Sequence, residues 1–301
     1  MAFLLQISTM NQILQISTMN NPIVGQVSAK HGVFKFFNND IYVGSSLREY
    51  GEFSEIEYSM MEKFVQDGDT VIDVGANIGC FTVPLAKKVG LTGRVIAFEP
   101  QLKIYDLLND NLELNNLKNA RVYNAGLGEE ESTTELGYFD YSKTGNFGGI
   151  CINNHYDNND SAQLENKNKY KVGVITLDNL LDMEKCNFIK IDAECMELDI
   201  LKGGIKFLEK FRPTMWIENH YEFPNKLNKY LLNIDYNLYW MYTVYYNKNN
   251  YFANDINHFG EIATLNVLAI PKENKKYCID DRFDKIINEN TKYTQCFRAT
   301  F

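Results

Sequence analysis

The chain has 301 residues, 45% of them hydrophobic, and a net charge of −9. That much apolar material supports one large α/β domain or one domain with extensions, whereas an acidic balance argues against a nucleic-acid binder, which needs a basic face for phosphates. No run of eighteen apolar residues suggests a membrane span, and the cysteines at 80, 151, 186, 195, 278 and 296 form no C-x-x-C pair, so a reduced, cytoplasmic protein without structural zinc is expected.

Residues 1–20 carry the heptapeptide LQISTMN twice, at Leu5–Asn11 and Leu14–Asn20. Two short copies fall below the three stacked units of a solenoid, and no signal-peptide pattern is present; a disordered leader outside the fold is expected. Residues 21–69 read as an N-terminal extension ending in a helix over 54–65, with Ser54 as N-cap. A strand over 70–74 leads into a helix with Phe81, Leu85 and Val89 on one face, stopped by Gly90. The strand Arg94–Glu99 stops at Pro100; Ile104, Leu107, Leu108 and Leu112 mark the next helix, and a third strand falls near 120–125. Apolar strands alternating with helices in this way predict a doubly wound α/β domain with a mostly parallel sheet.

Between about 131 and 171 the pattern lapses into Asn, Gly, Asp and Tyr, which reads as a functional loop or a disordered insertion. Strands then return at 187–194 and 213–220, separated by the helix MELDILKGG. The aromatic run 236–252 fits sheet core and hairpin better than a ligand platform. A last strand over 263–271 closes the domain, which spans 70–271, and a polar tail over 272–301 is expected to be loosely held.

The turn after the first strand runs Asp73-Val74-Gly75-Ala76-Asn77-Ile78-Gly79-Cys80. Dinucleotide binding wants G-x-G-x-x-G, with glycines where the pyrophosphate approaches and where the helix packs. Here Asn77 holds the first of those positions and Cys80 the second, and no G-x-x-x-x-G-K-[ST] phosphate loop is present. Glu99, ending the next strand, is placed to accept both hydroxyls of a ribose. The pattern suits a nucleoside without a pyrophosphate, a description that S-adenosylmethionine meets; a tight glycine turn with an incidental Glu is the plainer alternative.

The segments YGEFSEIE, DTVIDVGANIGCFT, VIAFEP, LNNL, TLDNLL, IKIDAECMELDILKGG and WIEN, taken in order, resemble the FkbM-type S-adenosylmethionine-dependent methyltransferases from about Tyr50 to Pro271. The resemblance implies a Rossmann-like class I methyltransferase fold, with a seven-stranded sheet whose last strand is antiparallel. It implies a cofactor site of Asp73, Gly75, Asn77, Gly79, Phe81, Glu99 and Pro100, with Glu99 on the ribose and the helix after Gly79 offering N–H groups to the cofactor's carboxylate. One position departs from the family's Asp-x-Glu-Gly pattern: Cys195 stands where the glycine is usual, so positive φ there would strain the chain.

Methyl transfer requires in-line alignment of an acceptor and removal of its proton. Candidates at the strand ends are Asp192, Glu194, Glu218 and His220. Asp192 and Glu218 end strands expected to be neighbours, about 4.8 Å apart, which also makes them candidate ligands for Mg²⁺. Glu194 has an alternative role as a helix cap, and His220 as an ordinary loop histidine. The family mostly methylates hydroxyls of sugars and natural products, which implies O-methylation of a glycan or small-molecule acceptor. A protein or amine acceptor, a non-catalytic cofactor-binding module and a nicotinamide-type oxidoreductase remain alternatives. Nothing in the sequence fixes the oligomeric state.

Overall fold

The computed structural model describes residues 23–152, 164–219, 224–277, 279 and 283–293. The duplicated leader therefore lies outside the described residues, as do His155, His220, Cys278 and Cys296. The strands are β1 (Val24–Ala29), β2 (Gly32–Phe37), β3 (Thr70–Val74), β4 (Arg94–Phe98), β5 (Ala120–Tyr123), β6 (Ala125–Leu127), β7 (Ser132–Phe139), β8 (Leu164–Ile175), β9 (Phe188–Ile191), β10 (Thr214–Glu218), β11 (Tyr236–Val244), β12 (Ala263–Pro271) and β13 (Lys285–Ile286). The helices are α1 (Val43–Tyr50), α2 (Glu55–Met61), α3 (Thr82–Lys88), α4 (Leu102–Leu114), α5 (Glu197–Lys202), α6 (Ile205–Phe211) and α7 (Pro224–Asn233). No helix among the described residues is long and apolar enough to cross a membrane.

Eight strands form the central sheet in the order β13-β11-β12-β10-β9-β3-β4-β5. β3, β4, β5, β9 and β10 run parallel, and β12 inserts antiparallel between β10 and β11. This is the expected doubly wound class with its antiparallel last long strand. The eighth strand corrects the expectation of seven: part of the tail read as loose pairs Leu238 with Ile286 and Tyr239 with Lys285, and Ile286 is buried. A single apolar side chain against β11 is enough to seat it.

Every side chain of β3 and β9 is buried, as a sheet covered on both faces requires. Ile72, Val74, Ile189 and Ile191 pack with Leu201, Phe207 and Leu231 on one face; Val71, Phe188 and Trp216 pack with Met61, Leu85 and Val89 on the other. The β1–β2 hairpin and α1 pack on α4 in a third cluster that includes Phe34, Leu47 and Leu108. Asn111 and Asn115, one helical turn apart, present their amides to β2 as a strand edge would. Asn111 accepts from the Lys35 N–H at 2.6 Å and donates to the Lys35 carbonyl at 3.0 Å. Asn115 does the same for Val33 at 3.0 and 2.7 Å.

Two local expectations need correction. Part of the 131–171 stretch is strand: β7 pairs antiparallel with β8, with an irregularity at Gly137/Tyr138, and β6 pairs parallel with β8. The many polar residues of these strands hid their alternation, because only alternate positions such as Leu136, Val172 and Val174 are buried. Ser54 precedes α2 but adopts a left-handed φ of 45° and makes no side-chain cap; its hydroxyl donates instead to Glu57 Oε2 at 2.8 Å.

Candidate active site

The carboxyl ends of β3, β4, β9 and β10 open into a cleft of about 330 Å³, the usual ligand position in an open α/β sheet. One half is walled by the glycine turn, Glu99, Pro100, Gln101 and the loop carrying Asn146, Gly148 and Ile150. The other half is walled by Lys190, Asp192, Glu194 and Glu218 with Tyr42, Phe53, Glu57 and Tyr245.

In the turn, Gly75, Asn77 and Gly79 have φ of 74°, 49° and 93°, left-handed values that glycine adopts freely and asparagine tolerates. A Cβ on Gly75 would lie 1.8 Å from the Asp192 carbonyl oxygen, so β3 and the Asp192 loop can approach only if this residue is glycine. Every backbone N–H from Gly75 to Gly79 is already engaged. Gly75 and Ala76 donate to the Phe98 carbonyl, each at 3.0 Å. Asn77 donates to Glu99 Oε2 at 2.9 Å, Ile78 to Asn77 Oδ1 at 2.7 Å and Gly79 to the Ala76 carbonyl at 3.0 Å. No donor in this turn is left for a pyrophosphate, which in dinucleotide sites is held by such N–H groups.

Glu99 is 4% exposed, and its second oxygen accepts from the Gln101 N–H at 2.8 Å. Burial raises its pKa to about 7, against the lowering effect of the Gln101 and Asn77 N–H bonds. Each carboxylate oxygen keeps a lone pair for a ligand hydroxyl. Gln101 Nε2 donates to the Phe147 carbonyl at 2.7 Å, tying the 140–152 loop to this end of the cleft.

On the other side, Lys190 interrupts the apolar strand β9. Register places it directly beside Asp73 on β3. Its Nζ lies 3.0 Å from Asp192 Oδ2, 3.9 Å from Asp73 Oδ1 and 4.7 Å from the centre of the Phe81 ring. Burial opposes the ammonium, yet Asp192, Asp73 and Glu57 together push the Lys190 pKa well up. Glu57 accepts from Ser54, from Trp216 Nε1 at 2.9 Å and from Thr264 at 3.4 Å; burial raises its pKa, with Lys190 opposing.

Residues 73–239, more than half of the chain, match the family model of the methyltransferase FkbM domain. The chain belongs to the FkbM methyltransferase family. It is 24% identical over 172 residues to Methyltransferase 1 of Beauveria bassiana (strain ARSEF 2860), covering 50% of this chain and 67% of that protein. It is 27% identical over 155 residues to Methyltransferase sdnD of Sordaria araneosa, covering 44% of this chain and 59% of that protein. Among solved structures, Methyltransferase FkbM from Methylobacillus flagellatus KT is similar at 17% identity and a TM-score of 0.42, over 71% of this chain and 50% of that one.

Within this FkbM segment, Gly75, Asn77, Phe81, Glu99, Pro100, Asp192 and Glu194 line the cleft, and so does Glu218. Asp73 and Gly79 do not: Asp73 is fully buried beneath the turn, where Oδ2 accepts from Thr82 Oγ1 at 2.6 Å, and Gly79 packs toward Leu108. α3 starts at Thr82, later than the sequence suggested. Glu194 does not cap α5; Glu197 Oε1 instead accepts from the Ala193 N–H at 3.0 Å. The strain expected at Cys195 is present, with φ of 73° following 49° at Glu194. His220 lies outside the described residues.

The Mg²⁺ expected at Asp192 and Glu218 gains no support. The Lys190 ammonium already sits on Asp192, and among the described residues no group of three or more His, Cys, Asp and Glu is arranged to hold a metal ion. Sequence reasoning missed Lys190, Glu57 and the 146–150 wall. A lone lysine inside the apolar strand FIKI was the available signal for the first; the other two depend on tertiary packing.

Proposed function

We propose that the chain is an S-adenosylmethionine-dependent methyltransferase that methylates a hydroxyl of a sugar or natural product. The observation that carries the cofactor reading is the glycine turn with all its N–H groups spent, beside a carboxylate placed for a ribose. A nucleoside with no pyrophosphate fits that wall and a dinucleotide does not. The acids Glu57, Asp192, Glu194 and Glu218 against the single Lys190 favour a cationic donor at the other end. The catalytic unit is residues 70–271, with 23–69 as part of its walls. A cytoplasmic setting rests on the cysteine pattern alone.

When bound, S-adenosylmethionine supplies a methyl group already activated on sulfur. The chain's task is to align the acceptor oxygen in line with that carbon and take its proton. Asp192 is the acceptor of that proton, with Glu218 on the neighbouring strand. Lys190 holds the Asp192 carboxylate in place by a charge-assisted hydrogen bond. With the sulfur as leaving group, the cofactor would supply the methyl carbon to the acceptor oxygen, and the Asp192 carboxylate would take the proton that the oxygen gives up. An acidic cleft disfavours phosphate-bearing acceptors, so RNA is not the proposed substrate. The test is mass spectrometry of hydroxylated acceptors after incubation with S-adenosylmethionine. A gain of one methyl group, dependent on Asp192, is expected; methylation of amines or RNA with no methylated alcohol would overturn the acceptor class.

A further inference from the structure

Resting on the methyltransferase reading above, we propose that the second cleft half is a binding subsite for an uncharged pyranose ring, built by the rings of Tyr42, Phe53 and Tyr245 from outside the family segment over the carboxylates Asp192 and Glu218 within it, and that it rejects anionic sugars. Tyr42 and Phe53 precede residue 73, and Tyr245 follows residue 239, so this wall is contributed entirely by the flanks of the matched segment. The three rings are partly exposed and all line the cleft. Tyr245 stands edge-on to both others, with ring centres 5.8 Å from Tyr42 and 5.6 Å from Phe53. Phe259 packs behind Tyr245 at 5.7 Å.

The wall is held in place from outside. Glu52 accepts from Asn247 Nδ2 at 2.8 Å and from the Tyr251 N–H at 2.9 Å. The Tyr50 hydroxyl accepts from the His258 N–H at 2.8 Å and donates to the Ile256 carbonyl at 3.0 Å. Both ends of the β11–β12 loop are thereby fastened to the end of α1 and the residues just after it, so the rings are positioned before any ligand arrives, which lowers the ordering cost of binding.

The polar groups facing the rings set the ligand class. Glu218, Asp192, Glu57 and Glu194 all surround the Tyr245 phenol, which burial and these charges keep protonated. The one Lys or Arg among the described lining residues, Lys190, is taken up by Asp192. A pyranose matches both features: its C–H face covers aromatic surface, and its hydroxyls donate to the carboxylates. A phosphate or uronate would meet like charges with no free Lys or Arg among the described lining residues to offset them.

The experiment is saturation-transfer NMR on the full chain loaded with S-adenosylhomocysteine. The probes are methyl gluco-, galacto- and mannopyranosides and the matching uronates and 6-phosphates. At least one neutral pyranoside is expected to give transfer, at least about tenfold stronger than its anionic partner. Tyr42→Ala should weaken it about fivefold, and Tyr42→Phe should preserve it. Affinity for S-adenosylhomocysteine is measured on each variant and should stay within about twofold. Absence of transfer from all neutral pyranosides, equal transfer from the anionic ones, or indifference to Tyr42→Ala would overturn the subsite. Failure of S-adenosylhomocysteine to bind the unaltered chain would instead overturn the methyltransferase reading.

Discussion

Glu99 meets two opposed demands. A buried carboxylate is costly to ionise, and a rise from 4.5 to about 7 corresponds to about 3 kcal/mol against the charged form. Yet the proposed ribose contact, with both hydroxyls donating to Glu99, needs the charged form. Because its folded pKa is raised, Glu99 contributes stability that is present below pH 4.5 and is lost as pH rises through about 7. Cofactor binding runs the other way: affinity should fall about tenfold for each pH unit below 7. Glu99→Gln should bind at least about tenfold more weakly at pH 8, since a charge-assisted hydrogen bond contributes about 1.5–3 kcal/mol, and it should lose this pH dependence; calorimetry from pH 6 to 8 measures both. Asp192→Asn keeps the shape but removes the proposed proton acceptor. Turnover at saturating S-adenosylmethionine should fall about 10²–10⁴-fold. Lys190→Met removes the charge beside buried Asp73, and loss of one partner of such a pair costs about 3–5 kcal/mol, readable by urea unfolding.

Among the elements, those with strong apolar periodicity were legible: β3, β4, β12 and α4 fall where the pattern puts them. β7 and β8 were not, because their exposed faces are built from Thr, Glu and Lys, and their pairing is set by partners far apart in sequence. The hairpin β1–β2 escaped for a related reason: β2 is tied to the domain by Asn111 and Asn115, which look like ordinary exposed helix residues. Asn111 is fully buried and also donates to the Ile78 carbonyl at 2.8 Å. Asn111→Ala should therefore cost more than a surface change, about 2–4 kcal/mol from several unmet buried partners. The loop after β9 is the opposite case. Cys195 at φ 73° carries strain that glycine would not, so Cys195→Gly should raise stability by about 1 kcal/mol, seen as an upward shift in Tm.

For the molecule as a whole, the sheet supplies the floor of the cleft and the flanks supply its roof. The cofactor wall was readable because a five-residue turn and a strand-end acid are local signals. The opposite wall was not, since Tyr42, Glu57, Lys190 and Tyr245 come from four separate stretches of chain that only the fold assembles. A glycine turn whose N–H groups are all spent should select a nucleoside sulfonium over a dinucleotide. Isothermal calorimetry of the full chain with S-adenosylmethionine, S-adenosylhomocysteine and NAD tests it most directly. Saturable binding of the first two and none of NAD is the predicted result; tight binding of NAD with no response to S-adenosylmethionine would contradict it.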